Sequence, residues 1–302
     1  MNRGRLTCGV LRKHMICYLL LAPTLLMFVI FVLVPAVQTV YISLTQWEGI
    51  GPKTWVGLSN YKTMLLSNAV YLTALRNTVV WTLVTMTVPV AIGLFQANLL
   101  VRGSLPHRLA KLYQLIYFLP QVISTVVAAI AWKFIYDPVM GPLNDVLRVV
   151  GMNQYANIGW LGNPKTVMTA LCVVNVWIHS GFCCVVFAAA MQGIDKELYD
   201  AAMVDGATRS DQFWRITLPG IRESMTTVLV LTMMWSFKVF DIIWTMTKGG
   251  PGQHSYVFAI YAYVQGFSYN RLGLSAAITV SLTLIAMVFS KAFTTIRERG
   301  RY

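Results

Sequence analysis

Several ionisable residues lie inside long apolar stretches, and three of them are candidates for chemistry. They are His179, Lys238 and Asp241. A charge within such a stretch is costly and therefore suggests a functional role. Lys238 and Asp241 are three residues apart and could pair on one helical face. That pair could contact a substrate or only stabilise its helix, and His179 could bind substrate or be a packed, neutral side chain.

Sequence motifs of several enzyme classes are absent. The phosphate-binding pattern G-x-x-x-x-G-K-[ST] is missing, which argues against ATP binding by this chain. No His or Cys spacing fits a zinc site, and the five cysteines are expected to act as small apolar residues. The string His179-Ser180-Gly181 could suggest a serine protease, but consecutive helical residues point about 100° apart and cannot form a dyad.

A polar stretch over residues 195–222 separates two apolar runs and holds five of the 11 acidic residues. Its first half has small and apolar residues at helical spacing, and Gly206 breaks that pattern. A second apolar stripe from Phe213 should end at Pro219. We predict a short helix, a glycine turn and a second short helix at a membrane surface. Its carboxylates and small residues indicate a docking surface for another protein.

The composition predicts an all-α polytopic membrane protein, because 57% of the residues are hydrophobic and the mean hydropathy is +0.61. A membrane-spanning helix needs about 20 apolar residues. The candidate runs cover residues 15–40, 73–100, 110–135, 166–192, 221–246 and 272–293. The first is too long for a signal peptide and is expected to be retained. We therefore predict a six-helix transmembrane domain over 15–293, between tails at 1–14 and 294–302.

The net charge of +13 indicates orientation in a membrane rather than a nucleic-acid partner. Fifteen of the 24 Lys and Arg residues fall in the tails and loops on one predicted side, and six fall on the other. Basic residues concentrate on the cytoplasmic side of membrane proteins. Both termini and the polar stretch are therefore expected in the cytoplasm, with membrane lipid around the spans.

The polar stretch resembles the cytoplasmic loop of binding-protein-dependent ABC importer permeases, whose pattern is E-A-A, three residues, Gly, nine residues and I-x-L-P. The matching residues are Asp200-Ala201-Ala202, Gly206 and Ile216-Thr217-Leu218-Pro219. Asp200 departs from the family's Glu by one methylene. The resemblance implies a type I ABC importer permease fold, in which residues 195–219 (the coupling segment) dock on an ATPase. It assigns that docking to Asp200, Ala201, Ala202, Asp205, Gly206 and Phe213.

Two further strings resemble carbohydrate importers in particular. Residues 57–61 (Gly-Leu-Ser-Asn-Tyr) are similar to the G-L-x-N-Y signature that follows the first span of sugar-type permeases. Residues 247–251 (Thr-Lys-Gly-Gly-Pro) are similar to a T-x-G-G-P turn of carbohydrate permeases. Together they favour a carbohydrate over an amino acid as the transported solute.

The resemblance to maltose-type permeases also implies a sugar cavity lined by the third, fourth and fifth spans. Amides and hydroxyls pair with sugar hydroxyls, and an aromatic ring such as Phe182 or Trp235 can cover an apolar sugar face. Because His179, Phe182 and Val239 depart from the family's lining residues, the sugar should differ from maltose. The substrate-binding candidates are Gln121, Thr125, Asn175, His179, Phe182, Thr232, Trp235, Ser236, Lys238 and Asp241.

The function implied is that of a membrane subunit of an ABC importer that moves an oligosaccharide, polyol or glycerol phosphate by alternating access. The implied partners are a second permease subunit, two ATPase subunits and an extracytoplasmic substrate-binding protein. No cofactor is expected in this chain, because ATP and Mg²⁺ would bind to the ATPase.

Two alternatives remain open from the sequence. A self-sufficient secondary carrier would need coupling groups at the membrane midplane. His179, Lys238 and Asp241 could serve, and uptake that persists on an ion gradient after ATP depletion would favour that carrier. A non-transporting membrane scaffold would leave the polar residues of the proposed cavity unexplained.

Overall fold

The computed structural model describes residues 18–66, 69–103, 105–156 and 158–299, with side chains to residue 295. The predicted tail 1–14 and residues 300–302 lie outside the described residues. In chain order the helices are α1 (Tyr18–Ser43), α2 (Ser59–Leu66), α3 (Ala69–Arg102), α4 (His107–Val122), α5 (Thr125–Ile135), α6 (Pro142–Val149), α7 (Val167–Gln192), α8 (Lys196–Val204), α9 (209–220), α10 (Arg222–Phe237), α11 (Asp241–Thr247), α12 (Phe258–Tyr263) and α13 (Leu272–Arg299).

Short irregular segments complete the secondary structure. α9 consists of Arg209–Gln212, a π-helical turn Phe213–Thr217 and Leu218–Gly220. Strands β1 (Thr45–Gln46) and β2 (Thr54–Trp55) pair antiparallel, with Thr45 opposite Trp55. A 3₁₀ turn covers Asn153–Tyr155 and a further π-helical turn covers Val264–Ser268. Helices thus predominate among the described residues, with one short ribbon, which confirms the all-α prediction.

Among the described residues, four continuous helices are long and apolar enough to cross a membrane, namely α1, α3, α7 and α13. Two further runs are pairs of helices with a bend between them. α4 and α5 meet at 98°, and α10 and α11 meet at 43°. If each bent pair is counted as one span, the six spans match the six predicted runs.

The two bends occur where the backbone leaves helical geometry. Between α4 and α5, Ile123 and Ser124 have ψ values of 139° and 131°. Pro120, which lacks an N–H, lies in the last turn of α4 and removes one helical hydrogen bond there. Between α10 and α11, the Val239 N–H bonds to the Ser236 carbonyl, three residues back, at 3.4 Å before α11 begins. The sequence analysis treated each run as one span and did not identify either break.

The chain divides into two compact units. The first comprises residues 1–67 and 262–281. Within it, Asn60 Nδ2 donates hydrogen bonds of 2.9 Å to the carbonyls of Ser43 and Thr45, and Tyr61 Oη lies 2.7 Å from Ser43 Oγ. The Asn-Tyr pair of the G-L-x-N-Y string therefore fastens α2 to the end of α1.

The second unit comprises residues 68–261 and 282–302, and it contains the candidate functional residues. Its core lies where α3 packs against α7. A Cβ added to Gly93 would lie 2.4 Å from Cys183 Cβ, so only glycine permits this approach of the two helices. Cys172, Cys183 and Cys184 are buried and free, in agreement with their predicted packing role, whereas Cys8 and Cys17 lie outside the described residues.

Candidate functional site

Four predicted substrate-binding side chains meet within the second unit. His179 Nδ1 donates a hydrogen bond of 2.9 Å to Gln121 Oε1 across α7 and α4. The His179 ring stacks on Trp235 with a centroid separation of 5.0 Å and an interplanar angle of 24°. The Phe182 ring meets the same Trp235 edge-on at 5.1 Å. We call Gln121, His179, Phe182 and Trp235 the aromatic–amide cluster.

The cluster depends on the break between α4 and α5. Gln121 lies in the last turn of α4, one residue after the buried Pro120. Thr125 begins α5 after the 98° bend and is half-buried. Asn175 lies one turn before His179 on α7, and its residue is only 7% exposed. The structure joins Gln121 and His179 to the two aromatic rings, whereas a place for Thr125 and Asn175 in the same site stays a prediction.

The hydroxyls of Thr232 and Ser236 are buried and bonded within the protein. Ser236 Oγ lies 2.7 Å from Thr85 Oγ1 and from the Thr232 carbonyl. Thr232 Oγ1 donates to the Val228 carbonyl at 2.9 Å. Sequence reasoning missed Thr85, although Thr78, Thr82 and Thr85 recur at helical spacing on α3. These hydroxyls join α3 to α10, and their contact with a substrate stays a prediction.

The structure corrects the predicted pairing of Lys238 and Asp241. The possible ion pair on one helical face is wrong, because α10 ends at Phe237 and α11 begins only at Asp241. Both residues are exposed, and no salt bridge joins them among the described side chains. Lys238 instead lines a groove of about 650 Å³ between α10 and α13. The structure therefore does not bring them together.

The coupling segment has the predicted helix–turn–helix form. Asp195 accepts a hydrogen bond of 3.1 Å from the Glu197 N–H and caps α8. Gly206 has φ +78°, and no heavy atom lies within 4 Å of a Cβ added there. The turn therefore favours glycine because of its backbone conformation and not because a side chain would clash. Pro219 does not end the second helix as predicted, because α9 continues to Gly220.

The predicted coupling residues form an exposed surface. Asp200, Ala201, Asp205 and Gly206 are exposed, whereas Ala202 and Phe213 are half-buried. Large apolar side chains on the same surface are also uncovered, including Val204 at 88% and Trp214 at 63% exposure. An uncovered apolar patch with acidic residues is typical of a protein docking site.

A capping box fixes the start of α9. Asp211 Oδ2 accepts hydrogen bonds from the side chain and the N–H of Thr208, and Thr208 Oγ1 accepts one from the Asp211 N–H. These bonds from Thr208 hold the pKa of Asp211 below its ordinary value. Within the described residues, no group of three or more His, Cys, Asp or Glu side chains could hold a metal ion.

The capping box predicts that Thr208→Ala loosens α9 by about 0.5–2 kcal/mol, the usual cost of losing such a cap. The pKa of Asp211 is lower in the folded protein than in the unfolded chain. The contribution of Asp211 to the stability of α9 is therefore present above the unfolded pKa and is lost as pH falls through the folded pKa. Amide hydrogen exchange of α9 measured from neutral to acidic pH checks both effects. Ser210→Ala is the control, and equal exchange in the two variants would contradict the assignment.

The sequence of this chain matches a known protein family and several known proteins. The family profile described as "Binding-protein-dependent transport system inner membrane component" matches residues 90–300. The chain belongs to this family. It is 34% identical to "Probable ABC transporter permease protein YurN" of Bacillus subtilis, over 92% of this chain and 94% of the relative.

Two further comparisons agree with the family. The chain is 34% identical to "Diacetylchitobiose uptake system permease protein NgcF" of Streptomyces coelicolor, over 88% of this chain and 77% of that protein. A crystal structure of a bacterial ABC transporter involved in the import of the acidic polysaccharide alginate matches with a TM-score of 0.81 and 25% identity, covering 98% of this chain and 99% of that chain. The permease therefore has the type I ABC importer fold and is an inner-membrane subunit separate from the ATPase.

Proposed function

We propose that this permease carries a carbohydrate across the membrane by alternating access. The aromatic–amide cluster is the observation that carries the proposal. It places the stacked rings of His179 and Trp235 beside the Gln121 amide. Rings that cover apolar faces and amides that pair with hydroxyls are the two elements of sugar recognition. The names of the relatives, which refer to diacetylchitobiose and alginate, support the same class of solute.

A neutral sugar fits the cluster better than a phosphorylated solute. Lys238 and His179 are the two residues that could bind a phosphate. Lys238 is exposed and lines the groove against α13, whereas His179 lies in the cluster with its Nδ1 bonded to Gln121. The secondary-carrier alternative gains no support, because the chain belongs to a family of binding-protein-dependent transport components. We therefore infer an oligosaccharide or a related polyol.

The proposal includes the partners. A second permease subunit would complete the membrane pathway, and two ATPase subunits would bind ATP and Mg²⁺ and act on the coupling segment. A substrate-binding protein would deliver the sugar on the opposite side. Supporting observations are the exposed acidic and apolar surface of the coupling segment and the excess of basic residues on its predicted side. Both termini would then be cytoplasmic.

The proposal predicts that aromatic substitutions in the cluster lower uptake. We expect Trp235→Ala and Phe182→Ala to reduce sugar uptake roughly two- to tenfold, the equivalent of the ~0.5–1.5 kcal/mol that an aromatic contact contributes. Phe134→Ala is the control, since Phe134 is 70% exposed on α5. Uptake by the transporter reconstituted in liposomes with its binding protein is the measurement.

The solute class is tested separately on the binding protein. Candidate oligosaccharides, polyols, sugar phosphates and amino acids are competed for binding to the purified cognate protein, and we expect oligosaccharides or polyols to compete and sugar phosphates and amino acids not to compete. Tight binding of an amino acid, or unchanged uptake in both aromatic variants, would contradict the proposed function.

A further inference from the structure

Arg102, the last residue of α3, contacts both helices of the coupling segment. Its Nη2 donates a hydrogen bond of 2.9 Å to Gln212 Oε1 on α9. The central carbon of its guanidinium lies 3.4 Å from the centroid of the Tyr199 ring on α8. That distance is within the range of a cation–π contact. One side chain of a long helix is thus held by both halves of a helix–turn–helix segment.

The partners of Arg102 are buried and bonded to one another. Tyr199 Oη lies 3.0 Å from Thr217 Oγ1, which also lies 3.4 Å from the Gln212 carbonyl. Tyr199, Gln212 and Thr217 are 4%, 6% and 1% exposed. Leaving a buried polar group without its partner is costly. The guanidinium, the phenol ring and the amide are therefore expected to move together and not separately.

The other part of α3 reaches the candidate substrate residues. Thr85 of α3 is bonded to Ser236 of α10 at 2.7 Å, and the Met86 carbonyl lies 3.5 Å from Thr232 Oγ1. Thr85 and Arg102 lie on the same helix, ~25 Å apart at 1.5 Å per residue, with Pro89 between them. α3 is thus one continuous element that extends from the coupling segment to the hydroxyls of α10.

We propose that Arg102 is a positioning residue that transmits movement of the coupling segment to α3. The inference rests on the proposed function, in which ATPase subunits displace α8 and α9. Because the guanidinium is held from both helices, their displacement would carry the end of α3 with them. α3 would then shift against α10 at the Thr85–Ser236 contact. Lysine can replace arginine here only in part, since its ammonium lacks the planar fork that bonds Gln212 while covering the Tyr199 ring.

The test measures ATP hydrolysis and sugar uptake together in the reconstituted transporter with its loaded binding protein. We expect Arg102→Gln to lower the uptake per ATP hydrolysed by roughly fivefold or more, the lower end of typical coupling between sites. Arg102→Lys should recover only part of that ratio. Arg108→Gln is the matched control, because Arg108 is an exposed basic residue near the start of α4. A ratio equal to that of the control would overturn the inference.

Variants of Tyr199 keep the inference testable if Arg102→Gln does not assemble. Tyr199→Phe retains the ring under the guanidinium and should keep more coupling than Tyr199→Leu, which removes it. Where Arg102→Gln does assemble, the double variant Arg102→Gln/Tyr199→Leu should lose no more than the stronger single variant, because both residues act in one linkage. Independent, additive losses, or equal ratios for Phe and Leu at position 199, would overturn it.

Failure of this inference can be told from failure of the proposed function. If the unaltered transporter shows no ATP-dependent sugar uptake, the proposed function fails. If the unaltered transporter couples hydrolysis to uptake and the Arg102 and Tyr199 variants couple equally well, only the role of Arg102 fails.

Discussion

Gly181→Ala is expected to destabilise the permease strongly. Gly181 lies on α7 where that helix touches the backbone of α4. A Cβ added at this position would lie 1.7 Å from the Tyr117 carbonyl oxygen and 2.4 Å from its carbon. Backbone atoms cannot yield as a flexible side chain can, so the two helices must separate. Overpacking of this kind costs about 1–3 kcal/mol and occasionally more.

The same substitution should also disrupt the aromatic–amide cluster. Gln121 follows Tyr117 by one helical turn, and His179 lies two residues before Gly181. The close approach of α4 and α7 therefore sets the 2.9 Å bond between Gln121 and His179. Small residues allow such close helix contacts in membranes. We expect Gly181→Ala to lower both thermal stability and sugar uptake.

Thermal unfolding of the detergent-solubilised transporter measures the first effect. Gly159→Ala is the matched control, because no heavy atom lies within 4 Å of a Cβ added to Gly159 and its φ is not positive. We expect the control to unfold at the temperature of the unaltered protein and Gly181→Ala to unfold several degrees lower. Equal midpoints would show that α4 and α7 tolerate a wider separation.

Gly206→Arg and Asp200→Ala are expected to abolish uptake without removing the permease from the membrane. Both residues are exposed on the coupling segment, and neither contributes to the buried core. An arginine at position 206 would project from the turn into the space that a docking ATPase must enter. Asp200→Ala removes the carboxylate expected to pair with a cation of the ATPase. Copurification of the ATPase, membrane content and uptake are the three measurements.

A second substitution at position 206 separates docking from backbone strain. Gly206 has φ +78°, where Asn is tolerated better than most side chains. We expect Gly206→Asn to retain more uptake than Gly206→Arg, because it can keep the turn with a shorter side chain. Normal uptake in both Gly206→Arg and Asp200→Ala would refute the docking role of this surface.

Several elements could be predicted from the sequence because their signals are local. Membrane spans follow from runs of about 20 apolar residues. The coupling segment was recognised from the spacing of Asp200-Ala201-Ala202, Gly206 and Pro219. Its glycine turn was also predicted correctly, since only a residue free of Cβ strain adopts φ +78° readily.

The candidate substrate residues were only partly predictable. The lining positions implied by resemblance included Gln121, His179 and Phe182, which the structure brings together with Trp235. The possible pairing of Lys238 with Asp241 failed because it assumed an unbroken helix. Mean hydropathy over a window does not detect a helix break, because the segments before and after the break are both apolar on average.

By itself the sequence determined the helical class, the spans, the family and the form of the coupling segment. Only the tertiary structure decided which distant side chains meet. Gln121 and His179 are 58 residues apart, Thr85 and Ser236 are 151 apart, and Arg102 and Gln212 are 110 apart. Periodicity shows which face of a helix is apolar or polar, but not which neighbour that face meets. The close approach of neighbouring helices, which the glycines at positions 93 and 181 permit, determines which side chains meet.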